Sequence, residues 1–151
     1  METQQATVVW KKDLQFEGRS HSARINLDSH VDEYQEGTGP KRLLLVALAG
    51  CTGMDVASML PKMRVPFSRF IVSAEGVQTE DHPKVYKSIH VTYELDVDPD
   101  QLDKVEMAVE KSVTKYCGVH AMLAQAAEIT HEIKLIEGPS EKLPDLEPTG
   151  S

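Results

Sequence analysis

The sequence predicts an α+β fold in which helices pack on mainly antiparallel sheet. Apolar and polar residues alternate strictly over residues 89–97, which is typical of a half-buried strand. A long, mostly apolar stretch over residues 43–60 exceeds the length of an ordinary strand and indicates a helix. The pair Asp98-Pro99 then marks the start of another helix. Together these patterns give the order ββ, long helix, ββ, two helices, β.

The N-terminal segment predicts two strands. Val8 and Trp10 alternate with polar neighbours and indicate the first. Residues 22–28 indicate the second, because Ala23, Ile25 and Leu27 share one face. The polar residues 28–39 predict a loop.

The long helix begins at Pro40, which suits the first helical position, and Pro61 falls near its end. It is apolar nearly all round, apart from Lys41, Arg42 and Asp55. Such a helix is enclosed on most sides by other elements. A chain of 151 residues offers little material for this, so we expect a partner subunit to contribute.

The second half predicts two strands over residues 70–77 and 89–97, and a last strand over residues 129–135. Asp98 is the expected N-cap of the helix between them, with Gln101 placed for a capping box. Its inner stripe consists of Leu102, Val105, Ala108, Val109, Ser112 and Val113. Gly118 predicts a break before a short helix over residues 119–126.

The domain organisation predicted is one domain over residues 1–137 and a flexible tail over residues 138–151. The tail contains Pro139, Pro144 and Pro148 and lacks an apolar periodicity.

Composition excludes several classes of function. The formal net charge of −8 argues against nonspecific binding to nucleic acid or to an anionic membrane, since both require a basic surface. No unbroken run of apolar residues is long enough to span a bilayer. The polar N-terminus lacks a secretory apolar region. The sequence therefore predicts a cytoplasmic protein with no nucleic-acid or membrane partner.

The two cysteines, Cys51 and Cys117, leave two interpretations open. As inert buried thiols they need no special surroundings. As reactive thiols they need open space and nearby donors or positive charge. Gly50 and Gly53 flank Cys51 and either provide that space or let another helix pack closely.

The neighbours of each thiol add two expectations. Asp55 would raise the pKa of a thiol one turn away on the helix, so we expect it to face elsewhere or to be paired. Cys117 lies near the predicted helix break, where His120 could donate to it. The six histidines and two cysteines show neither C-x-x-C nor H-x-x-x-H spacing, so the sequence predicts no metal site.

Four segments resemble the OsmC/Ohr family of osmotically inducible and organic hydroperoxide resistance proteins. Residues 37–56 are similar to the family's first cysteine helix and residues 115–123 to its second cysteine motif. Residues 82–86 and 128–131 also match the pattern. The resemblance runs from about Val8 to Glu137, nearly the whole chain.

The resemblance implies an intertwined α+β homodimer, with mainly antiparallel sheets on a long central helix and active sites at the subunit interface. It implies reduction of organic hydroperoxides, with Cys51 as the peroxidatic thiol, Cys117 as the resolving thiol and an external dithiol as electron donor. Arg19 is the candidate for the family's activating arginine. No metal or bound cofactor is implied.

One position departs from the family. A glutamate commonly follows two residues after the helix-opening proline and pairs with the activating arginine, but here Arg42 occupies that position. Like charges cannot form this pair. Either another carboxylate, such as Glu17 or Glu36, holds Arg19, or the arginine switch is lost.

The sequence thus predicts a thiol peroxidase with an apolar substrate pocket. The pocket candidates are Leu44, Leu48, Met54, His120 and Met122. The alternative is a non-catalytic dimeric binding protein with an apolar pocket and redox-responsive or inert thiols, which Arg42 favours.

Overall fold

The structure is a computed structural model that describes residues 1–29 and 37–138. The backbone contacts group into two compact units. The first lies within Met1–Leu44 and the second begins at Leu45. The tail predicted over residues 138–151, apart from Gly138, and most of the loop predicted over residues 28–39 lie outside the described residues.

The first unit contains a three-stranded antiparallel sheet. Its strands are β1 (Thr7–Lys12), β2 (Gln15–Ser20) and β3 (Ala23–Leu27), in that order across the sheet. The sequence analysis predicts the outer two but misses β2, whose residues QFEGRS carry one large apolar side chain and a glycine. The first four residues are all partly buried and mostly polar, so β2 lacks the alternation of apolar and polar residues that identifies a strand.

The long helix α1 spans Pro40–Lys62 and begins at the predicted proline. Its buried residues are Leu48, Thr52, Val56 and Leu60, spaced four apart on one face. The side chain of Met54 remains 75% exposed on another face. Within one chain, therefore, α1 is not enclosed on most sides.

By length and composition, α1 could also cross a bilayer, and it is the only such helix in the part of the chain that the structure describes. The sequence predicts no such segment, because glycines and polar residues interrupt its apolar run. The core helix of a globular protein passes the same test. The fully buried stripe of α1 packs against other elements of its unit, as a core helix does.

The second unit holds a sheet of β4 (Phe70–Gln78), β5 (Tyr86–Leu95) and β6 (Glu128–Leu135), with β5 in the middle. β4 and β5 are antiparallel, as predicted, but β5 and β6 are parallel. Parallel neighbours need a long connection, which the intervening helices provide. Alternate residues of β5 from Ile89 onward are buried, which confirms the half-buried strand.

The helices between β5 and β6 begin at Asp98, whose carboxylate accepts the amide N–H of Asp100 at 2.9 Å. The predicted capping box is wrong, because the Gln101 amide instead approaches the carbonyl of Arg64. A 3₁₀ turn, Pro99–Gln101, leads into α2, Leu102–Lys111. A π-helical turn over Ser112–Tyr116 follows, and then α3, Gly118–Leu123.

The hydrophobic core of the second unit forms where α1 and α2 contribute their apolar faces together with β5. It includes Leu48, Val56 and Leu60 from α1, Val105, Ala108 and Val109 from α2, and Ile89, Val91, Tyr93 and Leu95 from β5. Each large aliphatic side chain buried in this way stabilises the fold by about 1.5–3 kcal/mol. This core holds the segments that carry both cysteines.

Candidate functional site

The two cysteine sulfurs lie close together, although their segments are far apart in sequence. Both thiols are free. The Sγ atoms of Cys51 and Cys117 and a carboxylate oxygen of Asp55 all lie within 4.8 Å of one another. A disulfide has an S–S bond of about 2 Å, so forming one would bring the sulfurs closer together by up to about 2.8 Å. The two predicted catalytic cysteines thus form one site.

Cys117 is positioned by the end of the π-helical turn. Its amide N–H donates to the carbonyl of Ser112 at 2.8 Å, which closes the turn. Its backbone is extended, with φ −77° and ψ 99°, so the helix break lies here rather than at the predicted Gly118. The sulfur then accepts the amide N–H of His120 at 3.3 Å. The predicted donation to Cys117 therefore comes from the His120 backbone. π-Helical turns are rare and frequently lie at functional sites.

Cys51 is partly exposed on α1, and its two flanking glycines serve different purposes. A Cβ on Gly53 would come within 3.3 Å of the Val72 side chain, so this glycine lets β4 approach the helix. A Cβ on Gly50 would meet nothing within 4 Å. The packing interpretation therefore explains Gly53, with a strand as the neighbour instead of the helix that the sequence suggests, whereas Gly50 leaves open space.

The thiol of Cys117 is held in its protonated form. Burial is the main reason that the pKa of Cys117 is raised to about 12, and the adjacent Cys51 thiol and Asp55 carboxylate add to this effect. Only the hydrogen bond from the His120 N–H acts in the opposite direction. At neutral pH the site therefore contains a buried thiol beside a more exposed one.

Asp55 is paired, as expected, but it does not face away from the sulfurs. Its Oδ2 accepts a hydrogen bond from the Ser112 hydroxyl at 2.9 Å. Ser112 Oγ lies 2.8 Å from Thr52 Oγ1, which in turn lies 2.6 Å from the hydroxyl of Tyr93. Because an ionised carboxylate only accepts, each hydroxyl donates toward Asp55: Tyr93 to Thr52, Thr52 to Ser112, Ser112 to Asp55.

Sequence reasoning misses this chain of three hydroxyls. Thr52 and Ser112 are completely buried, although both are polar. Burial also raises the pKa of the Tyr93 phenol, so that it stays a donor. One signal in the sequence points to this chain. Ser112 falls in the inner stripe predicted for the helix that follows Asp98, and a buried serine needs a hydrogen-bond partner.

The predicted pocket residues do not form one group. Leu48 is completely buried in the core because it begins the four-residue stripe of α1. Met54 lines an open apolar groove of about 550 Å³ between α1 and β4, with Leu45, Val46, Ala49, Gly50, Gly53, Ala57, Phe70, Val72 and Ala74. Met122 is 66% exposed on α3 and is not among those lining residues. Leu44 is exposed and belongs to the first unit.

His120, the remaining pocket candidate, is half-buried on α3. Its Nδ1 is buried and has no hydrogen-bond partner within the described part of the chain. Burial lowers the pKa of His120, and the charge of His131 adds to this effect. The ring is therefore neutral at pH 7, which fits a core histidine as well as a pocket residue.

Arg19 lies on β2 in the first unit. Its Nη2 is 3.2 Å from Glu17 Oε2, and Arg24 Nη1 is 3.4 Å from the other oxygen of the same carboxylate. The hydrogen bond from Arg19 is the largest effect that lowers the pKa of Glu17. Glu17, one of the two carboxylates expected to hold Arg19, thus pairs with it, and Glu36, the other, lies outside the described residues. Arg42 is exposed.

Comparison with known proteins identifies the family. Residues 32–132 match the family model described as OsmC-like protein. Protein YhfA of Escherichia coli K12 is 30% identical over 133 residues, which cover 87% of this chain and 98% of YhfA. Both comparisons extend over most of the chain.

Two solved structures share the fold. An OsmC-like protein from Mycoplasma pneumoniae superposes with a TM-score of 0.79 at 18% identity, covering 90% of this chain and 99% of that one. The organic hydroperoxide resistance protein OhrB of Bacillus subtilis gives a TM-score of 0.62 at 13% identity, covering 88% and 98%. These findings confirm the predicted α+β fold and the resemblance to the OsmC/Ohr family. The chain belongs to the OsmC-like protein family.

Proposed function

We propose that the protein is a thiol-dependent peroxidase that reduces organic hydroperoxides to alcohols. The observation that carries this proposal is the pair of free thiols, a partly exposed Cys51 and a buried Cys117, whose sulfurs lie within 4.8 Å. Membership of a family that includes organic hydroperoxide resistance proteins supports the choice of substrate.

The first step is attack of the Cys51 thiolate on the distal oxygen of the hydroperoxide. The O–O bond breaks, the alkoxide takes a proton and leaves as the alcohol, and Cys51 becomes a sulfenic acid. The greater exposure of Cys51 supports its role as the attacking thiol, because the substrate must reach it from solvent.

The second step joins the two sulfurs. The Cys117 sulfur attacks the sulfenic sulfur, the S–O bond breaks, and the hydroxide leaves as water with the thiol proton of Cys117. An external dithiol then reduces the disulfide by exchange and is itself oxidised to a disulfide. The cycle needs neither a metal nor a bound cofactor. We place it in the cytoplasm, where thiols are kept reduced.

Arg19 is the proposed activating cation of this reaction. Its guanidinium is held by Glu17, which leaves further N–H donors for a thiolate or a peroxide oxygen. Arg24 shares the same carboxylate from the neighbouring strand and provides a matched comparison.

We also propose that the active protein is a homodimer. The apolar side chains that remain exposed support this: in the first unit Val8 is 55% and Trp10 62% exposed, and in the second Val46 and Met54 lie open beside the groove. An exposed apolar groove of this kind is typical of a surface that another chain covers. Neither cysteine is among the residues that line this groove, so the groove supports the dimer and not the choice of peroxide.

The test is consumption of cumene hydroperoxide by the reduced full-length chain with a dithiol. We expect turnover by the wild type, none above background by Cys51→Ser, and loss of disulfide formation in Cys117→Ser. Turnover equal in the wild type and Cys51→Ser would reject the peroxidase. It would favour the second candidate, a non-catalytic binding protein, which is supported by the open groove and by Arg42 at the position of the family glutamate.

A further inference from the structure

The two thiols and the Asp55 carboxylate beside them are all side chains of types that bind metal ions. The sulfurs of Cys51 and Cys117 and one carboxylate oxygen of Asp55 lie within 4.8 Å of one another. We propose that these three residues, when the thiols are reduced, bind one thiophilic divalent cation of the Zn²⁺ or Cd²⁺ type. This inference goes beyond the proposed peroxidase, which needs no metal, and it stands or falls independently of it.

The spacing of the three atoms suits tetrahedral coordination. With Zn–S bonds of about 2.3 Å, two sulfurs bound to one zinc ion lie about 3.8 Å apart, so the present arrangement needs to contract by about 1 Å at most. Two thiolates favour a soft or borderline cation, whereas Mg²⁺ and Ca²⁺ prefer sites made of oxygen atoms only. Cys51 and Asp55 are both partly exposed, which gives the ion an entry path and leaves its fourth position to water.

Each ligand is held by its element. Cys51 and Asp55 stand one turn apart on α1 and therefore project from the same face of the helix. Cys117 is held by the π-helical turn on one side and by the His120 N–H on the other. The three ligands are therefore held close together before any ion binds.

The buried chain of hydroxyls provides the second layer that metal sites commonly have. Ser112 donates to Asp55 at 2.9 Å and is itself held by Thr52. Hydrogen bonds to a ligating carboxylate fix its orientation, and their loss typically costs about 10–100-fold in metal affinity. The chain of hydroxyls thus ends on a carboxylate that lies beside both sulfurs, which is the placement a metal ligand requires.

Charge favours a cation at the same place. Two thiolates and a carboxylate side by side would repel one another, and a divalent cation among them reverses that repulsion. Because the thiols must lose their protons to bind, metal uptake releases protons. Joining the sulfurs in a disulfide removes both thiolates, so metal binding and the oxidised state exclude each other.

A metal titration of the reduced full-length chain, freed of reductant and chelator under argon, tests the proposal. Cd²⁺ is the probe, and the thiolate-to-cadmium charge-transfer band in the ultraviolet is the signal. We expect saturation at one ion per chain, with no band in Cys51→Ser, in Cys117→Ser or in the disulfide form. Asp55→Asn and Ser112→Ala should each weaken binding by about tenfold or more. Asp100→Asn, an exposed acid of the 3₁₀ turn, should change nothing.

Absence of the band in the reduced wild type would overturn the proposal, as would unchanged affinity in Asp55→Asn, since two thiols alone would then be the site. A second measurement on the wild type needs no variant: one equivalent of Zn²⁺ should slow alkylation of Cys51 at least about tenfold, and unchanged alkylation would also reject the site. Hydroperoxide turnover in the presence of a chelator reports on the peroxidase alone, so the two proposals can fail separately.

Discussion

The two compact units differ in where they keep their polar and apolar groups. In the first, the Glu17–Arg19 pair and the apolar residues of β1 are at the surface. In the second, the hydroxyl chain from Tyr93 to Ser112 and the apolar face of α1 are buried together. The second unit therefore carries its own core and the thiol site. The first unit buries few apolar side chains of its own. A three-stranded sheet needs a covered apolar face to be stable, so the first unit depends on further contacts.

The largest expected effect concerns the two thiols of the second unit. Burial, the Cys51 thiol and the Asp55 carboxylate raise the pKa of Cys117 to about 12, so very few molecules carry its thiolate at pH 8. With a chelator present, alkylation of Cys117 by iodoacetamide should be slow at pH 8. It should rise about tenfold per pH unit toward pH 12 while the chain stays folded.

Peptide mapping after timed alkylation measures the rate at each cysteine separately. Urea-unfolded protein is the control, in which both thiols should react with the ordinary pKa of about 8.5. Fast, pH-independent labelling of Cys117 in the folded chain would show that the thiol is neither buried nor protonated.

The next effect compares the stability that each unit contributes. Leu60→Ala removes a completely buried side chain of the second unit and should lower the free energy of unfolding by about 2–5 kcal/mol. Val8→Ala on the exposed face of β1 should change it by less than about 0.5 kcal/mol. Urea unfolding followed by circular dichroism measures both. A large loss of stability in Val8→Ala would mean that β1 is covered in the folded protein. If that loss also depended on protein concentration, the covering surface would belong to a second copy of the chain.

The smallest expected effect is that of replacing Arg19, which tests whether the first unit takes part in the reaction. If Arg19 stabilises the thiolate and the developing charge on the peroxide, Arg19→Ala should slow formation of the Cys51 sulfenic acid by about a hundredfold. Arg24→Ala removes a guanidinium from the same carboxylate and should leave the rate unchanged. Equal rates in the two variants, measured by stopped-flow, would assign Arg19 to the ion pair alone.

Much of this fold could be predicted because its signals are local. The alternation of β5, the proline that begins α1 and the Asp98 cap each depend on residues that are neighbours in sequence. The strand β2 is not predicted because four consecutive residues are partly buried and only Phe16 is a large apolar residue, so no alternation marks it. The parallel pairing of β6 depends on where the helices return the chain, which no local pattern records.

The candidate site was predictable only in part. The motif resemblance identified Cys51 and Cys117 as a pair, and the structure brings their sulfurs together. The roles of Thr52, Ser112 and Tyr93 arise from contacts between three elements distant in sequence, so neither spacing nor composition reveals them. The approach of Asp55 to the two sulfurs also depends on such contacts, so the spacing of residues in the sequence does not predict it.

The central claim is that the two sulfurs form a disulfide in response to a hydroperoxide, and mass spectrometry of the reduced chain after one equivalent of tert-butyl hydroperoxide tests it most directly. The account predicts an intrachain Cys51–Cys117 disulfide within seconds, and a stable sulfenic acid on Cys51 in Cys117→Ser. Recovery of both thiols unmodified, or oxidation of Cys51 to the sulfinic acid without any disulfide, would contradict it.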